Sequence, residues 1–91
     1  MPKIKNYSPY HEEEPYGGYK WKHDEKENVV VEVTKNIAND NSIESSLWRV
    51  KVWDYAHCYE LGPISNNKEN MREVAVKWME DNPQGWNYEN S

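Results

Sequence analysis

Chemistry in this chain would have to come from a short set of side chains: His11, His23 and His57, the single Cys58, and the run Glu12-Glu13-Glu14. A metal ion needs about three or four Cys, His or carboxylate ligands converging on one point. None of these residues shows the close paired spacing of a zinc motif, and adjacent His57 and Cys58 would point to opposite faces of a strand that held both. Nucleophilic attack by Cys58 would need His57 or His23 as base and a third group to orient that base. The sequence shows no such constellation. Three consecutive glutamates beside Pro15 read as a solvated charge run rather than an acid-base pair, and glycine-rich phosphate loops are absent. The expectation is a protein that is not an enzyme and that carries no metal and no cofactor.

Binding is the alternative, and the aromatic residues favour it. The chain has five tryptophans and seven tyrosines but no phenylalanine. Tryptophan and tyrosine combine an apolar ring with a polar handle, which suits half-wet sheet faces and interfaces. Period-two alternation sets Tyr19, Trp21 and His23 against Lys20, Lys22 and Asp24, and Trp48, Val50 and Val52 against Leu47, Arg49, Lys51 and Trp53. Lys20, Lys22, Arg49, Lys51, Trp53 and Tyr55 therefore form a candidate binding face opposite a valine core. Such a face docks a protein partner or a second copy of the chain through its Trp, Tyr and Arg residues. Alternatively, it stacks bases and tracks phosphates as single-strand nucleic-acid binders do. The net charge of −5 works against polyanions and ranks the protein-interaction reading first.

The elements that must hold this face follow from pattern. Ninety-one residues allow one hydrophobic core and one domain. Residues 1–18, with Pro2, Pro9, Pro15, Gly17 and Gly18, read as an extended arm or an edge strand, with Lys3-Ile4-Lys5 as the strand candidate. Residues 19–83 form a single α+β domain. In it, strands from Tyr19 and over Val29–Thr34 make a hairpin across the polar turn Glu25–Asn28, with Val29, Val31 and Val33 inward. The Asn- and Ser-rich stretch 35–46 reads as a mobile connection. A third strand spans Leu47–Trp53, and a short fourth, Cys58–Leu61, stops at Gly62-Pro63 with Tyr59 and Leu61 inward.

A helix over 67–81 follows, started by a capping box of Asn66 and Glu69 and ended by Pro83. Its apolar stripe is Met71, Val74, Ala75, Trp78 and Met79. Trp21, Val31, Val50, Val52, Val74 and Trp78 are expected to share the core. Residues 84–91 read as a C-terminal tail carrying Trp86 and Tyr88. The predicted architecture is a three- to four-stranded antiparallel meander packed by one C-terminal amphipathic helix.

A lone cysteine forms no internal disulfide, and no apolar run approaches the roughly 18 residues that cross a bilayer, so a cytoplasmic protein without membrane contact is expected. The opening Met1-Pro2-Lys3-Ile4-Lys5-Asn6-Tyr7-Ser8 resembles the start of a family of small uncharacterised haloarchaeal proteins, which open Met-Pro-Arg-Ile and continue Asn-Trp-Ser. The order from Trp48-Arg49 through Asp54-Tyr55 and Asn67-Lys68-Glu69 to Asn82-Pro83 is also similar to that family, so the resemblance covers about half the chain. Longer members carry a cysteine-rich, metal-binding-like tail that has no counterpart here. The resemblance implies an archaeal or archaeal-viral origin and no particular chemistry.

Overall fold

The computed structural model describes residues 4–10, 18–35 and 47–90. The acidic run with His11, and all of the 35–46 connection after Lys35, lie outside the described residues. The chain order is β1 (Tyr7–Pro9), β2 (Tyr19–His23), β3 (Val29–Lys35), β4 (Trp48–Asp54), β5 (His57–Ser65) and α1 (Lys68–Asp81), followed by a 3-10 turn at Tyr88–Asn90. The strands form one antiparallel meander in the order β1-β2-β3-β4-β5. The class is α+β as expected, but among the described residues the sheet has five strands rather than three or four.

The additional strand is β1. It lies at Tyr7–Pro9, paired as Tyr7↔His23, Ser8↔Lys22 and Pro9↔Trp21, while Ile4 and Lys5 of the expected Lys3–Lys5 strand precede it outside the ladder and Lys3 lies outside the described residues. Two local features allow it. Asn6 adopts φ 67°, a left-handed conformation that asparagine tolerates, and turns the chain so that the Tyr7 N–H donates to Ile4 O at 3.0 Å. Pro9 has no N–H to contribute, which is acceptable only at a sheet edge.

Strand β5 also runs further than expected, because Gly62-Pro63 bends it without ending it. The ladder passes from Val50↔Leu61 to Trp48↔Ser65, so Arg49 alone on β4 spans what Gly62, Pro63 and Ile64 span on β5. Gly62 takes φ 63°, which lets the bulged strand absorb the extra residues.

One sheet face is dry. Tyr7, Trp21, Val29, Val31, Val33, Val50 and Val52 are buried there, and α1 lays Met71, Ala75 and Met79 over β3, β4 and β5. Val74 and Trp78 are half-buried and pack at the margin of this core, as do Tyr59 and Leu61, and the Trp78 ring meets Tyr59 edge-on. The helix begins one residue later than the predicted capping box: Asn67 is the N-cap, and its side-chain oxygen accepts from the Asn70 N–H at 3.1 Å. Ser65 Oγ in turn accepts from the Asn67 N–H at 3.0 Å.

At the other end of α1 the chain is clasped by β1 and β2. Tyr7 Oη donates to Asn82 O at 2.7 Å, Asn6 Nδ2 donates to Pro83 O at 2.9 Å, and His23 Nε2 lies 2.8 Å from the same carbonyl. His23 Nδ1 accepts from the N–H groups of Glu25 and Lys26, each at 3.1 Å, which assigns the ring proton to Nε2. Burial, reinforced by Tyr59, pushes the Tyr7 phenol well above its usual range, against a smaller opposing effect of the Gly85 backbone. Gly85 passes at φ 81°, where a β-carbon would press on His23 and Val29, and Trp86 after it returns to pack on the core margin. Among the described residues no helix is long and apolar enough to cross a membrane.

Candidate functional site

Directly paired residues on neighbouring strands share a face, so the ladder itself maps the outer surface of the sheet. One cross-strand row reads Lys20↔Glu32↔Lys51↔Glu60 from β2 to β5. The next reads Ser8↔Lys22↔Val30↔Trp53↔Cys58 from β1 to β5, and a third contains Thr34↔Arg49. Lys20, Lys22, Arg49, Lys51 and Trp53 thus lie on one outer face, opposite the valine core. Tyr55 sits at its end, in the two-residue turn that joins β4 to β5.

Glu32 and Glu60 belong to the same surface and are absent from the set that the sequence singled out. Both were legible: Glu32 alternates with the inward Val31 and Val33, and Glu60 lies between inward Tyr59 and Leu61. They change the electrostatics. Arg49 Nη1 donates to Glu60 Oε1 at 2.9 Å, with the arginine side chain only 12% exposed. Trp53 Nε1 donates to Glu32 Oε1 at 2.8 Å, which ties the indole to β3. The basic face becomes a surface of interleaved charge around an indole.

A shallow depression of about 240 Å³ lies here, lined by Lys20, Asn28, Val30, Glu32, Trp53 and Tyr55. Tyr55 is 79% exposed and takes φ 55°, a conformation that a β-carbon disfavours, while its N–H donates to Asn28 O at 3.0 Å. Tyr10 lies near β2, with Lys20 Nζ 5.2 Å and Lys22 Nζ 5.9 Å from its ring centroid.

Comparison with protein-family models, with curated proteins and with solved structures finds no match for this chain. The site must therefore be read from its own geometry.

A second concave region, of about 530 Å³, opens at the end of the sheet between Lys26, Asp54, His57, Trp86 and Tyr88. Its chemistry is structural. Asp54 Oδ2 accepts from the Tyr88 N–H at 2.9 Å, and Oδ1 accepts from Asn28 Nδ2. These two bonds, with smaller contributions from His57 and Lys26, hold its carboxyl below the usual carboxylate range. The His57 ring stacks on Tyr88 with centroids 3.7 Å apart and planes 2° from parallel. Both carboxylate oxygens are engaged in bolting the C-terminal turn to the β3 and β4 ends.

The remaining candidates from the sequence are dispersed. His23 is buried with both ring nitrogens in backbone hydrogen bonds, and Cys58 is exposed on the outer face. Among the described residues, no group of three His, Cys, Asp or Glu is arranged to hold a metal ion. A further set of cations, Lys35, Lys68 and Arg72, lies 5.0–5.6 Å from the ring centroids of Trp48 and Tyr19. Tyr19 Oη donates to Glu69 Oε1 at 2.5 Å, and this bond raises the phenol above its ordinary value. That cluster staples β2, β3 and β4 to the first turns of α1.

Proposed function

We propose that this chain is a non-enzymatic protein-interaction module that docks its partner through the outer face of β2–β5. The observation that carries the reading is the row Lys20, Glu32, Lys51, Glu60, in which every basic residue has a carboxylate on the adjacent strand. A phosphate backbone is a continuous line of one sign and rewards contiguous cations. A protein surface of mixed charge rewards alternation, and it places an aromatic anchor such as Trp53 near the middle of the contact. The single-stranded nucleic-acid reading uses Lys20, Lys22, Arg49, Lys51, Trp53 and Tyr55 without Glu32 and Glu60, and those two carboxylates count against it.

Photo-crosslinking separates the two. A photoreactive residue in place of Lys51 on the outer face should capture polypeptide in nuclease-treated extract. The same probe in place of Lys77, 79% exposed on the solvent side of α1, should not. Titration with mixed-sequence single-stranded DNA and RNA at low salt should leave the tryptophan fluorescence unchanged. Quenching that weakens with salt and disappears in Trp53→Ala would transfer the face to nucleic acid, and an absence of polypeptide adducts from position 51 would overturn the docking reading.

A further inference from the structure

The row of charges across the outer face has a symmetry of its own. From β2 to β5 it runs plus, minus, plus, minus, as Lys20, Glu32, Lys51 and Glu60 in direct register. A two-fold axis parallel to the strands and midway between β3 and β4 reverses the order of a row while keeping each residue at its height along the strands. Applied here, it sets Glu32 of one copy against Lys51 of the other, and Lys20 against Glu60. Every charge in the row meets its opposite. In the neighbouring row the same axis brings Val30 onto Trp53 at the centre of the contact and sets Lys22 opposite Cys58 at its margin. A two-fold axis perpendicular to the strands, by contrast, would leave each residue of the row over its own strand, lysine over lysine and glutamate over glutamate.

Resting on the protein-docking reading above, we infer that the partner is a second copy of this chain, packed face to face into a two-sheet sandwich. A two-fold interface is built from one surface patch that complements itself, and the strand register supplies such a patch. Aligned sheets pack at roughly 30° to each other, so the pairs nearest the axis, Glu32 with Lys51 and Val30 with Trp53, carry the contact. Trp53 is already tied to Glu32 by its indole N–H and has less conformational freedom to lose on association. Four strands about 4.8 Å apart and about seven residues long present a footprint on the order of 450 Å² per copy. That is small for a specific interface, which makes the dimer weak and dependent on concentration.

Sedimentation equilibrium on the wild-type chain and on two single variants tests this. The wild type should pass from monomer to dimer as concentration rises. Glu32→Lys and Lys51→Glu should each remain monomeric, since each leaves like charges facing across the axis. Mixed one to one, the two variants should dimerise again, because the side chain of Glu32→Lys in one copy then faces that of Lys51→Glu in the other. Circular dichroism and melting temperature establish that both variants are folded, and Lys20→Glu with Glu60→Lys forms a second complementary pair if either is not. A mixture of folded variants that sediments as two monomers overturns the inference. A wild type monomeric up to millimolar concentration, whose position 51 still crosslinks to a different polypeptide, overturns the dimer and leaves the docking reading standing; loss of both results removes both.

Discussion

Tyr55 is held in a left-handed backbone conformation while its ring faces solvent, a combination that folding alone does not reward. Replacing it with glycine should therefore raise stability by about 0.5–1 kcal/mol, after the added freedom of glycine in the unfolded chain is subtracted. Urea denaturation reads that gain directly, and a loss of stability would mean that the ring contributes to the fold. Asp54 behaves differently, because its carboxylate is fixed by Tyr88 N–H and Asn28. A carboxyl held below its unfolded value stabilises the fold above about pH 4, and that stabilisation is lost as pH falls from there through the folded value. Melting curves of the wild type should thus decline steeply below about pH 4, and Asp54→Asn should start lower at neutral pH but decline less. At Tyr7 the sign is reversed: a phenol pushed up by burial stabilises below about pH 10 and loses that contribution as pH rises beyond it. Tyr7→Phe should flatten the alkaline decline.

At the scale of elements, the test is where α1 begins. Asn67→Ala removes an N-cap bond and should cost about 1 kcal/mol, whereas Asn66→Ala should change stability by less than about 0.5 kcal/mol. The reverse order in thermal denaturation would restore the predicted capping box. Adjacent asparagines explain why the sequence was ambiguous: either has a backbone N–H three residues ahead, and Glu69 singled out the wrong one. Strands β2, β3 and β4 and the apolar stripe of α1 were legible because each alternates or repeats over five or more residues. Strand β1 was not, because three residues ending in proline contain no period, and burial of Tyr7 depends on β2 being its neighbour. Gly62-Pro63 gives a stop signal that the structure does not follow, for a related reason. A turn signal in sequence says that the backbone bends, but whether the ladder resumes depends on the partner strand, and Trp48↔Ser65 resumes it. The outer face was legible in location and incomplete in content, since strand phase placed its lysines while Glu32 and Glu60, in the same phase, were passed over.

For the whole molecule, the decisive contacts are those between its sequence extremes. Asn6 and Tyr7 bond to the carbonyls of Pro83 and Asn82, across separations of 77 and 75 residues. Tyr7→Ala removes one of the largest fully buried side chains as well as the Asn82 bond, and should cost about 3–5 kcal/mol, a large share of what a domain of this size possesses. Hydrogen exchange should then show β2 and the 82–86 segment losing protection together; protection unchanged in either would mean that the clasp does not couple them. The clasp also fixes an order of events during synthesis. A ribosome delivers Tyr7 75 residues ahead of Asn82, so its hydroxyl has no acceptor until Asn82 has left the exit tunnel. Long-range closure of this kind is slow to form. Until then β1 has only β2 to pair with, and its hold on the turn after α1 closes once that turn has been made.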